Sequence, residues 1–589
     1  MLSGLPVISL GMYLRTIARR NKDGSTVRYL QLAHNEWDPQ RRCAVARVVH
    51  SFGREDELDR AALARLVRSI ARFLEPAEAL AVMAPRELRF LGSKALGGAW
   101  VLDALWRRLG IDAMLAGLLT GRRLDPAAER LLFGLVCNRA LAPASKLACA
   151  EWLQGEVAIP DLPELGGDPQ PLYRSMDFLL EVESELAEAV YWEVADLLNL
   201  EVDLILFDTT STYFEIDEPD APPARSESGG DAAAAAVDES EDSEESAVGF
   251  RSRGHSKDHR PDLPQIVIGL AVTRSGIPIR VWSWPGNTSD QALIRQVKDE
   301  LRAWKLTRVV WVADRGFSSA RNRRYLQRAG GHYILGEKLR SGSKEARAAL
   351  ARQGRYHPVA GNLRVKEVVV DDATMRDRFV VCHNPEQAER DKLVREQILV
   401  QLQAEIAGSD ALPEQTRHDL ACRLEAKPGY RRFVRQTRAG LLRIDRAAVA
   451  AEQRLDGKFL LRTSDPTLSA EDVALGYKQL LEVEQAWRDM KTTLDLRPVF
   501  HRKEQRIRAH VLLCWLALLL IRVAETTTGK TWRTLRRELQ RMHLGEFEGS
   551  AGRVLQRSET TAAQRQILHA LTIDEPPRFS ELEPAQAAA

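Results

Sequence analysis

The stretch Leu204–Thr212, LILFDTTST, decides how this chain is read. Four apolar residues run into Asp208, and a cluster of hydroxyl residues follows at once. A short apolar run bounded in this way reads as a buried strand that delivers one carboxylate at its exposed end. A buried carboxylate is costly unless it is paired or bound to a cation. A loop aspartate capping a turn shares the same local pattern, so the decision falls to the chain around it.

Working outward, RVVWVADRG repeats the design and ends in Asp314. Between the two aspartates, GHSKDHRPDLPQ reads as irregular backbone, because Pro261 and Pro264 interrupt it. QIVIGLAVT and IPIRVWSW follow as two strands joined by a Ser275-Gly276 turn. Asn287-Thr288-Ser289-Asp290 is a helix-start signal before the amphipathic ALIRQVKDELRAW. After Asp314 come a basic helix, SSARNRRYLQRAG, and the strand HYILGEKL. The hairpins imply antiparallel pairing and the helical crossovers parallel pairing. Adjacent parallel strands would bring Asp208 and Asp314 together.

The chain has 589 residues, 44% hydrophobic and 28% charged, which is the composition of a soluble globular protein of several domains. Its six cysteines are scattered, with no CxxC pair and no Cys/His cluster. That argues against a zinc module or a disulfide framework and for a reducing cytoplasm. The N-terminal MLSGLPVISLGMYLRT lacks a basic leader and a clear apolar core, so no signal peptide is expected. The longest apolar run, Val511–Ile521, is flanked by His510 and Arg522 and is too short to span a bilayer. It reads as a core helix.

The formal net charge of +2 conceals a polarity. Between Glu215 and Glu245 stand 12 acidic residues and one basic residue; the rest of the chain has 83 basic residues against 70 acidic ones. A body this basic suits a protein that neutralises phosphates. The segment 216–248 has little hydrophobic content and one sign of charge, so no packed core is expected there.

Elsewhere the patterns are coarser. Residues 1–75 read as a small basic β-meander, a candidate reader of DNA ends, with Lys22–Ser25 and Trp37–Gln40 as turns. A linker with Pro76 and Pro85 leads into a helical region, 76–199. Residues 346–455 break the strand–helix alternation and read as an α+β insertion, after which DGKFLLRTSD supplies one more strand.

In ALGYKQLLEVEQAWRDMKTTL, Tyr477, Glu484 and Lys491 are each seven residues apart, so a continuous helix places all three near one face. With FDTTSTYFE, WPGNTSD and VADRGFSS, this stretch resembles the insertion-sequence transposases of the DDE class, in the branch with a Y-R-E-K signature. Leu480 stands where that signature has Arg, and Arg488, one turn beyond Glu484, is the candidate substitute.

The resemblance implies an α/β fold whose RNase H-like mixed sheet is flanked by helices. Its core would run over 200–345 and 456–545, with the insertion between and a C-terminal tail at 546–589. It implies Asp208, Asp314 and Glu484 as catalytic ligands of two Mg²⁺ ions, replaceable by Mn²⁺. Tyr477, Lys491 and Arg488 would contact DNA, and Lys257, His255 and Arg260 would line the same groove. The implied partners are terminal inverted repeats and target DNA, bound by a homodimer. Two alternatives remain open. A haloacid-dehalogenase-type phosphatase also begins with a strand and Asp, but wants a second Asp where Thr210 stands. A catalytically inactive DNA-binding relative would carry the same motifs.

Overall fold

The computed structural model describes residues 12–21, 26–38, 40–41, 43–71, 73, 88–197, 204–221, 249–302, 304, 309–372, 375–549 and 552–584. The acidic segment from 222 to 248, the 22–25 turn and the Pro76/Pro85 linker lie outside these residues. Two compact units divide the chain: Met1–Ser93 with His543–Glu559 and Pro576–Ala589, and Lys94–Met542 with Thr560–Glu575.

In the smaller unit, the alternating segments near the N-terminus form an antiparallel sheet of Met12–Arg20, Thr26–Asp38 and Cys43–Arg54. Within 546–589, expected as a tail, the described residues 546–549 and 552–584 are folded. Phe579–Pro584, Gly552–Arg557 and His543–Gly549 form a four-stranded sheet with Arg89–Ala95. A sheet needs partners for its backbone N–H and C=O groups, and here they come from opposite ends of the chain.

The larger unit is organised on a nine-stranded sheet. Its order is His357–Pro358, Arg364–Asp372, Met375–His383, Lys458–Thr463, His332–Glu337, Val310–Ala313, Leu204–Tyr213, Gln265–Thr273, Pro278–Pro285. Val310–Ala313 runs parallel to both of its neighbours, and every other pairing is antiparallel. The helices Asp290–Arg302 and Ala320–Leu326 make the crossovers that parallel strands require. The Gly276 turn, at φ +78°, closes the hairpin between Gln265–Thr273 and Pro278–Pro285.

The stretch 346–455 is not one separate insertion. Its strands Arg364–Asp372 and Met375–His383 extend the same sheet, bridged to His332–Glu337 by Lys458–Thr463. Only the remainder is self-contained: Leu402, Ile406, Leu420, Ala421, Leu424, Phe433 and Leu442 form a small core of their own.

The helices between Gly97 and Leu197 also share the larger unit's core. Helix Ala128–Leu141 is buried at every position, which matches its lack of a polar face. It packs with Gln170–Glu181 against Glu504–Thr528, which in turn covers Pro278–Pro285. Glu504–Thr528 is long and apolar enough to cross a membrane, but 89% of its most apolar window is buried inside the protein. It is a core helix.

Candidate active site

The parallel ladder sets the geometry. Phe207 faces Ala313 as its last rung, so Asp208, midway along Leu204–Tyr213 and not at its end as expected, lies beside Asp314, which follows the last residue of Val310–Ala313. Asp208 keeps 27% of its side chain exposed. Burial nonetheless pushes its carboxyl up to about 6; Asp290 and Asp314 push the same way and Lys257 opposes them. Asp314 precedes the short turn Arg315–Phe317, and its Oδ1 accepts a hydrogen bond from Tyr477 Oη at 2.9 Å. Burial, and then Asp314, raise the Tyr477 phenol well above its usual range, so it remains a donor. The phenol passes over Gly336, where any Cβ would collide with it.

The hydroxyl cluster after Asp208 works as a clamp. Thr209 Oγ1 donates to Asp290 Oδ1 at 2.6 Å and accepts from Lys257 Nζ at 2.5 Å. The Lys257 ammonium also donates to Thr209 O at 2.8 Å and stands 3.3 Å from Asp290 and 3.9 Å from Asp208. Ser211 Oγ accepts from the Lys257 backbone N–H at 2.9 Å. Thr210 Oγ1 accepts from Lys491 Nζ at 2.8 Å, and Lys491 also donates to Asp258 at 2.9 Å. Arg497 completes the group, 2.9 Å from the other oxygen of Asp258 and over the Tyr213 ring. Lys257 and Lys491, both expected on DNA, are thus engaged by the site's own oxygens.

The remaining expected residues are placed differently. The helix carrying Tyr477, Ala470–Lys478, ends at Gln479, and a second, Leu480–Thr492, carries Glu484 and Lys491. The expected single helical face is therefore broken, and Tyr477 turns to Asp314 while Lys491 reaches Thr210. Glu484 is exposed on the second helix. Among the described residues, no three His, Cys, Asp or Glu side chains are grouped closely enough to hold a metal ion. Arg488 is exposed, and its guanidinium donates to Gln485 Oε1 at 3.3 Å. His255 is exposed, and Arg260 is held by Asp262 at 2.8 Å.

Asp290 and Asp258 escaped the sequence reading. Asp290 looked like a helix-start residue, and nothing local separates a cap from a carboxylate that reaches Thr209. Asp258 lay in a run of mixed charge, where an exposed pair is the ordinary expectation.

Residues 235–520 match the model described as "Transposase DDE domain". Residues 14–80 match "IS1634 family transposase, N-terminal domain". Together the two matches account for more than half of the chain. The first contains Asp290, Asp314 and Glu484, whereas Asp208 precedes it. No curated protein matches the chain. A solved structure titled "Cryo-EM structure of piggyBac transposase synaptic complex with hairpin DNA" is similar at 11% identity over 75% of this chain and 76% of that one, with a TM-score of 0.33.

Proposed function

Because the chain belongs to the insertion-sequence transposases of the DDE class, we propose that Asp208, Asp314 and Glu484 carry its phosphodiester chemistry. The protein is a DNA transposase, a polynucleotidyl transferase and endonuclease. The observation that carries the assignment is the Phe207–Ala313 rung, which sets Asp208, midway along its strand, beside Asp314 at the end of the neighbouring one. The order of three antiparallel strands, then two parallel ones reached through helices, supports an RNase H-like core in this part of the sheet.

Enzymes of this family generally use divalent metal ions. Of the donors, Asp208 and Asp314 fit one: they are hard carboxylate oxygens side by side, and the field of Asp290 and Asp314 on Asp208 favours a cation between them, while Glu484 stands exposed on its helix. Lys257 supplies one positive charge at that place. We assign the ions as two Mg²⁺, with Mn²⁺ as a substitute, held by Asp208, Asp314 and Glu484. Such ions, when bound, activate the attacking oxygen and stabilise the leaving one in an in-line displacement at phosphorus. Tyr477 orients Asp314, while Thr209 and Asp290 hold Lys257 against the strand. The DNA partners are the element's terminal inverted repeats and the target, engaged by a homodimer in the cytoplasm.

The test is nicking of supercoiled DNA with Mn²⁺ by Asp208→Asn, Asp314→Asn and Glu484→Gln, beside their binding of end DNA. Each should abolish cleavage and spare binding. A variant retaining more than about a tenth of wild-type nicking, a loss of under about 1.4 kcal/mol in barrier, removes that residue from the site. The inactive-relative reading draws on the exposure of Glu484, and a wild-type protein that binds but never nicks would establish it. The phosphatase reading falls with the family matches, and Thr210 is occupied with Lys491.

A further inference from the structure

Away from the carboxylates, two cations are buried with no carboxylate paired to them among the described residues. Arg139, 3% exposed, lies near the end of helix Ala128–Leu141, and Lys146, 4% exposed, begins helix Lys146–Gly155. Among the described residues the Arg139 guanidinium donates to neutral oxygens: Asn138 Oδ1 at 3.2 Å, Ala144 O, and Asp495 O at 3.4 Å. Its Nε has no hydrogen-bond partner among the described residues. Lys146 Nζ has neither a hydrogen bond nor an ion pair among them, and burial first, then Arg139, a second cation, push it down to about 8.

Among the described residues no carboxylate pairs with either cation, and the acidic charge acting nearby is that of Asp495, on Cys514. Cys149 and Cys514 lie close enough to act on Lys146, but burial pushes both thiols up to about 11, so they remain neutral. His510 donates from Nε2 to Leu496 O at 3.1 Å, and its Nδ1 is unpartnered. His501, half-buried, stands 5.8 Å from the His510 ring and 6.1 Å from Tyr173. Asp177, on the neighbouring helix, is already held by Arg506 at 2.6 Å. Asp495 lends its carbonyl to Arg139 and is itself an exposed residue.

We propose that Arg139, Lys146 and His501 form a binding site for a phosphate oxyanion, filled in the working enzyme by a backbone phosphodiester of DNA. Burying a charge without a partner is strongly unfavourable, and two like charges side by side make it worse. An entering oxyanion relieves both terms at once. Lysine is a compact point charge suited to phosphate, and arginine adds directed donors. His501, at the more exposed side, gains a reason to protonate once the anion is present.

The site is tied to the cleavage centre by a short piece of chain. Asp495 and Leu496 take the bonds from Arg139 and His510. The next residue, Arg497, pairs with Asp258, which holds Lys491 against Thr210, two residues from Asp208. Naming the anion as DNA rests on the transposase reading; the existence of an oxyanion site does not.

The experiment uses the full chain without divalent metal, so that it is independent of the catalytic assignment. Thermal unfolding of wild type, Lys146→Met and His501→Gln is followed in inorganic phosphate and in chloride of equal ionic strength. Affinity for a DNA duplex is then measured across a salt titration. The expected result is a saturable rise in Tm with phosphate in wild type, lost in Lys146→Met and reduced in His501→Gln. DNA affinity should fall about tenfold in Lys146→Met, and its salt dependence should drop by about one phosphate contact. If Lys146→Met does not fold, His501→Gln, at a half-buried position, carries the same comparison. Equal Tm in phosphate and chloride for wild type overturns the site. Phosphate stabilisation that survives in the folded variants also overturns it. Phosphate stabilisation lost with DNA affinity and salt slope unchanged overturns the DNA occupant, because the site then takes free anion only.

Discussion

Tyr477 donates its phenol hydrogen to Asp314 Oδ1 at 2.9 Å, across 163 residues of sequence. The bond ties a helix that follows the insertion to the strand end that precedes it. Because burial keeps the phenol protonated, Tyr477 fixes which oxygen of Asp314 remains open. In Tyr477→Phe the loss of one hydrogen bond to a charged group should cost about 1.5–3 kcal/mol in orienting Asp314. Nicking should fall roughly tenfold to a hundredfold, with DNA binding unchanged. Gly336→Ala should give a similar loss, because its Cβ would displace the same phenol. Wild-type nicking rates in both variants would show that the bond has no part in cleavage.

Asp290 should behave as a fourth essential carboxylate of a different kind. It holds Thr209 and Lys257, so Asp290→Asn keeps the shape and loses the charge that anchors the ammonium. We expect cleavage reduced by roughly ten- to a hundredfold, as for outer partners of a metal site, not abolished as in Asp208→Asn. Measuring both variants at saturating Mn²⁺ separates the roles. Equal, complete loss would place Asp290 among the ligands themselves.

Lys491 distinguishes two accounts of one residue. On DNA, Lys491→Ala lowers the salt dependence of binding by about one phosphate contact. In the clamp, its bonds to Thr210 and Asp258 position the strand, so the variant loses nicking while the salt slope stays at the wild-type value. The structure leads us to expect the second result. A shallower slope with normal nicking would return Lys491 to the DNA.

Acid should destabilise the larger unit through two histidines. Burial, with Lys146, holds His501 down at about 4 and His510 well below its usual value. Both folded values are depressed below the ordinary 6.5, so the unfolded chain takes up protons first. Stability is then full above about pH 6.5 and falls as pH drops towards 4, by about 1.4 kcal/mol per pH unit for each histidine. Urea unfolding in chloride at pH 7 and pH 5 reads this directly. His501→Gln should lose less stability over that interval than wild type, and an unchanged difference would clear His501 of the effect.

What the sequence by itself determined was local and strongly patterned. Apolar runs ending in Asp208 and Asp314 announce buried strands; the carboxylate stands at the tip for Asp314, whereas the Asp208 strand runs on through the hydroxyl cluster to Tyr213. The hairpin at Ser275-Gly276 and the amphipathic helix after Asp290 follow from period and turn chemistry. The Y…E…K spacing needs only a count of residues. Tertiary structure decided which of these groups meet. No periodicity shows that Thr209 reaches Asp290, that Lys257 sits between two aspartates, or that Lys491 is held by Thr210 and Asp258, because each bond joins segments far apart in the chain. Nor could the helical spacing foresee the break at Gln479, where Tyr477 turns to Asp314. Lys146 and Arg139 look like ordinary solvated cations in sequence. Only packing shows that both are buried, since burial is set by the elements that cover a residue and not by the residue itself.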